Sequence, residues 1–454
     1  MTWATYQRDP RAGEIDATDT ATPRRTLAER YDTRKSIDHA QAGVSLEQRF
    51  GDDRIRYMIY GGSRQVIQFQ AFSRFVQTPA TQSGGVVDFS RDFHGADLNW
   101  LHVADVADGT LNTTIGIDYG YSQDQRQGFE NFVGTQFGVQ GRLRRDEANT
   151  VTSLDPYVQL QWEGGPWVLS AGLRHSRMSV KVDDYYASNG NDSGSIDFRH
   201  TTPRLGALYK VTPTLNLYAS AARGFEAPTL NELFYSGAGA GFNFGLKPAT
   251  SAHIEGGIKA YVGSSTRLNA ALFQVKTNDE LVVDVSGGGR TSYRNASRTL
   301  RRGAELSIDS GFGKGFTTRL AVTALRATYD APFGNVMRGS RLPGVPSMNM
   351  FGELAWKNPS ETWVAAIETI ASSKVYADDA NADRPAPGYA IVNARVQASQ
   401  QMGRWRLKQY LRVNNLADRA YVGSLIVGDA NKRYYEAAPG RNWMAGVSAQ
   451  YAFR

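Results

Sequence analysis

The chain contains no cysteine, which excludes a disulfide framework and any thiolate metal site. Long apolar runs are missing too. A transmembrane helix needs about 20 mostly apolar residues in succession; no segment qualifies, and the mean hydropathy is −0.43. Charge of one sign is scarce. Over 454 residues, 51 Lys and Arg against 44 Asp and Glu leave a net charge of +7. No basic tract stands out, so no nucleic-acid partner is expected. The opening Met1-Thr2-Trp3-Ala4-Thr5-Tyr6 has neither a basic nor an apolar region, so no secretory signal is read there. The marks of catalysis are likewise missing: no Gly-x-Ser-x-Gly elbow, no His-Glu-x-x-His and no P-loop. His39, His94, His102, His175, His200 and His253 are scattered, with no pair at ligand spacing. An enzyme, a bound cofactor and a metal centre are therefore not expected. The acidic pairs Asp183-Asp184 and Asp378-Asp379 fall in loops, where they are solvated charge or, alternatively, oxygen ligands for a cation.

What is abundant is glycine (46), tyrosine (22) and phenylalanine (20), with 8 Trp. Aromatics at 11% speak for a folded chain. The recurring pattern is alternation with a period of two, the mark of strands with two different faces. In the last segment, Trp443, Ala445, Val447, Ala449, Tyr451 and Phe453 oppose Met444, Gly446, Ser448, Gln450, Ala452 and Arg454. Just before it, Trp405, Leu407, Leu411 and Val413 oppose Arg404, Arg406, Lys408, Tyr410 and Arg412. Leu215, Leu217, Ala219 and Ala221 alternate likewise with Asn216, Tyr218 and Ser220. Short turns recur at Gly51, Ala107-Asp108, Gly164-Gly165, Thr212-Pro213, Gly263, Gly311 to Lys314, Asn358-Pro359 and Gly403. Between them lie long polar stretches, such as Gln123 to Asn149, Asp183 to Asp197, Glu226 to Pro248, Tyr329 to Pro346 and Ala417 to Gly440. Short turns at one end and long loops at the other are the asymmetry of an outer-membrane barrel. A soluble sandwich rarely carries so many long loops. The pattern predicts an all-β fold: a transmembrane antiparallel up-and-down β-barrel of roughly eighteen strands, with no helix, in one domain over residues 1–454. Trp162, Trp167, Trp405 and Trp443 suit an interfacial aromatic girdle.

Several segments resemble TonB-dependent outer-membrane receptors. Arg223-Gly224-Phe225-Glu226-Ala227-Pro228-Thr229-Leu230-Asn231-Glu232-Leu233-Phe234 is similar to the family's RGFRAPTLNELF segment. Leu246-Lys247-Pro248 resembles its LKPE element, with Ala249 in place of Glu. Asn278-Asp279-Glu280-Leu281-Val282, Tyr293-Arg294-Asn295-Ala296 with Arg302-Gly303-Ala304-Glu305-Leu306, and Leu342-Pro343-Gly344-Val345-Pro346 follow in the family's order. So do Asn415-Leu416-Ala417-Asp418-Arg419-Ala420-Tyr421 and Pro439-Gly440-Arg441. Near the start, Tyr31-Asp32-Thr33-Arg34-Lys35 resembles a segment of ferric-siderophore receptors. The family also carries a signal peptide, a TonB box, a globular plug and a barrel of about 22 strands. Against that pattern the chain reads as an incomplete barrel without plug or signal peptide, unable to transport unless its open edges close on each other.

The resemblance implies a receptor in the outer membrane of a Gram-negative bacterium. It would bind a ferric siderophore or other iron chelate and import it with energy from TonB, with outer-membrane lipid around it. Other cargoes of the family, such as cobalamin, thiamine or a saccharide, and a passive porin-like channel are the alternatives. Ferric chelates are often anionic, and arginine suits carboxylate-rich ligands. The inward row Arg404, Arg406, Lys408 and Arg412 lies towards the short turns and is read as paired with carboxylates of the wall or a plug. Ligand contacts are expected from the loops and upper lumen, at Arg24, Arg34, Arg126, Arg294, Arg341, Tyr235 and Phe242, with Arg25, Arg290 and Phe244 beside them.

Overall fold

A computed structural model describes residues 2–6, 14–15, 28–235, 241–287, 290–430, 432 and 434–453. Its main body is an 18-stranded sheet. In chain order the strands are β1 (Thr2–Tyr6), β2 (Arg34–Phe50), β3 (Asp53–Phe69), β4 (Val86–Val106), β5 (Gly109–Phe129) and β6 (Leu143–Gly164). Next come β7 (Trp167–Asp184), β8 (Gly194–Thr212), β9 (Leu215–Glu226), β10 (Ala249–Val262), β11 (Thr266–Asn278) and β12 (Arg298–Gly311). The last are β13 (Phe316–Tyr329), β14 (Met348–Lys357), β15 (Trp363–Ser372), β16 (Tyr389–Met402), β17 (Trp405–Asn414) and β18 (Asn442–Tyr451). Each pairs antiparallel with the next, from β1 to β18. Among the described residues no ladder joins β18 to β1, so the sheet is open.

The short turns all lie at one end. At the tightest, Ala107 and Asp108 hold φ of 51° and 56°, the left-handed pair that a two-residue hairpin needs to match strand twist. The long loops cluster at the other end. Cross-strand partners share a face, and the ladders sort the side chains as the alternation demands. Leu411 faces with Ala445 and Val396, and Trp405 with Tyr451. These outward residues are exposed, Val447 at 73% and Trp443 at 67%. An aromatic border marks the short-turn edge of the band, where the rings of Trp405 and Tyr451 are 4.9 Å apart and those of Trp167 and Tyr209 4.6 Å. On the same outward face, His94 stacks on Tyr121 at 4.8 Å, about 20 Å along the strand from Trp100. That spacing brackets a hydrocarbon layer.

Two expectations change. Gln123 to Asn149 is largely strand: β5 and β6 run 21 and 22 residues. The alternation fades there because above the apolar band neither face meets lipid and both carry polar residues, yet the ladder still satisfies the backbone. Second, two four-residue helices occur, Ala28–Tyr31 and Leu230–Leu233. The latter starts at a capping box, Thr229 with Glu232, a signal present in the sequence as Thr-x-x-Glu.

The inner face is polar and internally paired. Glu368 takes Arg412 at 2.9 and 2.5 Å and Arg395 at 3.1 Å, while Arg395 also reaches Glu353 at 2.7 Å. Arg404, Arg406 and Lys408 make no ion pair among the described residues. Inward rings lie flat over glycines directly opposite. A Cβ on Gly446 would meet Tyr410 at 2.4 Å, and one on Gly116 would meet Tyr157 at 2.4 Å.

Removing the shared carboxylate should destabilise the wall. Glu368→Gln is expected to lower stability by about 1–3 kcal/mol, since two guanidiniums lose charged partners. Thermal unfolding in detergent tests this, with Lys408→Gln, a residue without an ion pair, as the near-neutral comparison; equal midpoints for the two variants would exclude a structural role for the triad.

Candidate functional site

Above the apolar band, alternation along β5 and β6 turns Arg126, Arg145, Glu147 and Asn149 to the inner face. Arg126 stands directly opposite Glu147. The helix Leu230–Leu233, set by its capping box, delivers Phe234 and Tyr235 onto them. The Arg126 guanidinium lies 3.7 Å from the Phe234 ring centroid and that of Arg145 4.8 Å. Arg145 Nε donates to Glu147 Oε2 at 2.5 Å, and Asn149 Nδ2 to Glu147 Oε1 at 2.8 Å. The carboxylate is thus spent on Arg145 and Asn149. Arg126 Nη1 lies 3.8 Å from Glu147 Oε1 and is buried without a hydrogen-bond partner. The Tyr235 hydroxyl is 2.8 Å from Ser83 Oγ and accepts from Arg145 Nη1 at 3.4 Å, with Arg290 over its ring at 4.9 Å. Phe242 closes the group edge-on to Phe234 at 5.4 Å and stacked on Phe244 at 5.8 Å. Val180, Val182, Phe198, Leu233 and Leu246 pack around it.

The electrostatics follow from two cations sharing one carboxylate. Burial and the neighbouring Arg145 pull Arg126 down to about 10, still charged at neutral pH. Burial pushes the Tyr235 phenol up, but Arg145, Arg126 and the Ser83 hydrogen bond outweigh it and leave the phenol below its ordinary range. The Arg126–Arg145–Glu147 group by itself is therefore cationic, aromatic-walled and short of one acceptor, while Asp184 and Asp192 line the free space beside it. The free space beside Tyr235 and Phe242 is about 20 Å³, room for about one water molecule.

The structure thus brings together five of the expected residues: Arg126, Tyr235 and Phe242, with Arg290 and Phe244 beside them. Arg34 is used elsewhere, bonded to Asp32 at 2.6 Å and the Gly138 carbonyl at 3.0 Å and stacked on Phe69. Arg294 and Arg341 belong to a second cluster around Tyr329, Phe333, Val336 and Leu342. There the Arg294 guanidinium covers Phe333 at 5.0 Å with Asp284 at 3.3 Å, and the Arg341 backbone is held by Asn381. Arg24 and Arg25 lie outside the described residues. Arg145, Glu147 and Phe234 were missed. Arg145 and Glu147 sit in a stretch polar on both faces, and their period-two spacing from Asn149 was the available signal.

The acidic pairs are structural. Asp378 accepts from the Ala382 and Asp383 amides, Asp379 from the Tyr329 hydroxyl, and Asp184 from the Tyr186 and Asp192 amides. Among the described residues no acidic or histidine cluster has the make-up of a metal site. The loops interlock as a roof: Ala430 donates to the Ser286 carbonyl, Gly428 to that of Ala377, and Tyr434 to Asp383. Glu280 anchors the hairpin 281–295, accepting from Arg301 at 2.6 and 2.9 Å and from Thr299 at 2.7 Å.

Residues 1–416 match the family described as TonB dependent receptor-like, beta-barrel. The chain belongs to that family. The TonB-dependent receptors are outer-membrane transport receptors, not enzymes. Among relatives, the metal-pseudopaline receptor CntO of Pseudomonas aeruginosa is 25% identical over 296 residues, 62% of this chain and 37% of the receptor. The fold matches the ferric citrate transporter FecA (TM-score 0.74, 15% identity, 96% of this chain and 65% of that one). It also matches the siderophore receptor PiuA of Acinetobacter baumannii (TM-score 0.70, 16% identity, 92% and 65%). The chain thus spans about two thirds of those solved receptors and aligns with little over a third of CntO.

Two titrations test the upper site of this receptor wall. The difference in phenolate absorbance between the native chain and Tyr235→Phe should report a tyrosine titrating below the ordinary range, and Arg145→Gln should move it upward; a normal titration in both would refute the cationic environment. Burial pushes the Glu280 carboxyl up, and its bonds to Arg301 and Thr299 more than reverse this, leaving it below 4.5. Its stabilisation is then complete above pH 4.5 and lost as pH falls through the lower folded value. Proteolysis within 281–295 should accelerate on that acid limb, and Glu280→Gln should remove the pH dependence.

Proposed function

We propose that this chain is the barrel wall, over residues 1–454, of a receptor that imports an anionic iron chelate, a ferric siderophore, across a Gram-negative outer membrane. Release into the periplasm is coupled to TonB. The observation that carries this reading is the Arg126–Arg145 pair. Two buried guanidiniums share one carboxylate, and one of them has a nitrogen without an acceptor, at the loop end of the lumen. A carboxylate- or catecholate-rich cargo supplies the missing anion, and Phe234, Tyr235 and Phe242 supply flat apolar walls. Because the free space is small, entry of cargo requires the segment bearing Tyr235 and Phe242 to move aside. The neighbours support the cargo class: FecA is a ferric citrate transporter and Fiu of E. coli K12 a ferric-catecholate import receptor. CntO and the copper transporter OprC favour a second reading, a chelate of another metal. Transport also requires the backbone groups along β1, β18 and the part of β2 beyond His39 to be paired, since lipid offers them no partner.

Binding decides. Titration of ferric citrate and a ferric tris-catecholate onto the detergent-solubilised full chain should give saturable binding. Arg126→Gln with Arg145→Gln should weaken it by about tenfold or more, as expected for loss of charge-assisted bonds. Unchanged affinity would remove the site from the cargo path, and preference for a cupric or zinc chelate would select the second reading.

A further inference from the structure

The outward face of the sheet changes character just above its apolar band. Across β10 to β14 one register row reads Gly256, Leu272, Ala304, Ala324 and Met348, all uncharged. The next row towards the loops reads Ile254, Gln274, Arg302 and Arg326, and the one beyond it Ala252, Lys276, Leu300 and Thr328. Arg302 and Arg326 are directly opposite each other. On β7 and β8 the same happens, with Arg177 directly opposite Arg199 on the face that carries Leu169, Leu173 and Leu205 lower down. Arg223 of β9 shares this outward face with Ala221 and its partner Ile254. Arg177 and Arg326 each lie about ten residues from the short-turn end of their strands, the length that spans a hydrocarbon layer.

Like charges directly opposite in an antiparallel pair repel, and the protein supplies these pairs no carboxylate. Arg302 Nε donates to the neutral Gln274 at 2.6 Å, and Arg177 Nε to His175 at 3.3 Å. The side chains of Arg199, Arg326 and Lys276 make no hydrogen bond or ion pair among the described residues. The nearby acids do not answer: Asp330 is 3.3 Å from Arg338, and Asp197, two residues from Arg199 on the same face, makes no ion pair among the described residues. A cleft of about 270 Å³ lies over Arg302 and Arg326, walled by Leu300, Thr328 and Arg338.

We propose that these outward arginine pairs bind the phosphate groups of a phosphorylated lipid of the outer leaflet. A phosphate bridging two guanidiniums forms charge-assisted bidentate bonds and cancels the repulsion between them. The acyl chains lie along the apolar rows below. The site is separate from the lumen and independent of cargo, resting only on the transmembrane orientation of the sheet.

The test uses the full chain in neutral detergent, titrated with lipid A carrying both phosphates, with lipid A stripped of them, and with inorganic phosphate, and read by native mass spectrometry. Bis-phosphorylated lipid A should bind at least tenfold more tightly than either comparison. Arg302→Gln with Arg326→Gln, and separately Arg177→Gln with Arg199→Gln, should each weaken it about tenfold. The corresponding Lys pairs, which keep the charge, should retain most of the affinity. Equal binding of the stripped lipid, inorganic phosphate binding as tightly as the lipid, or unchanged affinity in both Gln pairs would overturn the proposal. Loss in the Lys pairs as well would assign the effect to misfolding, and would overturn it too.

Discussion

Everything in this structure depends on one constraint: a bilayer core offers the backbone no hydrogen-bond partner. A sheet in lipid must therefore satisfy each N–H and C=O on a neighbouring strand. The antiparallel succession from β1 to β18 does this for every strand but β1, β18 and the part of β2 beyond His39, which the five-residue β1 does not reach. The constraint also dictates the period-two sequence, because a strand with lipid on one side and a lumen on the other can serve both only by alternating. The glycines belong to the same economy of space. Tyr410 and Tyr157 lie flat across the strand because Gly446 and Gly116 have no Cβ to hold them off.

The lumen poses the opposite problem. Its side chains are polar but too crowded to be fully hydrated, so charges must meet one another. Glu368 answers two arginines, and Arg395 spans to a second carboxylate, Glu353. Further towards the loops Asp124 takes Arg91 in a bidentate pair at 2.5 and 2.7 Å. Beside these matched charges the Arg126–Arg145–Glu147 group keeps a buried guanidinium nitrogen without an acceptor. It lies where the strands rise above the apolar band and a loop folds back over them.

Much of the architecture was legible. The alternation of Trp443 to Phe453, the short turns and the long loops foretold an antiparallel barrel with its asymmetric ends and close to the observed number of strands. The extent of β5 and β6 was not, because Gln123 to Gln127 and Arg144 to Glu147 are polar on both faces and periodicity has nothing to register. The helix at Leu230 was visible as Thr229-x-x-Glu232 but is only one turn long, too short for an apolar stripe. Of the candidate ligand residues, composition could nominate arginines near loops but could not say which were already committed. Arg34 is consumed by Asp32 and Phe69, and Arg341 is held through its backbone.

The sequence by itself determined the two-faced strands, their order and the end at which the loops collect, since these follow from local patterning and chain connectivity. Only the tertiary structure decided which charges remain unpaired. Register sets Arg126 opposite Glu147, Arg302 opposite Arg326 and Arg177 opposite Arg199. Register is a relation between two strands that the pattern of neither strand alone fixes, and a one-residue slip would turn each of those side chains to the other face.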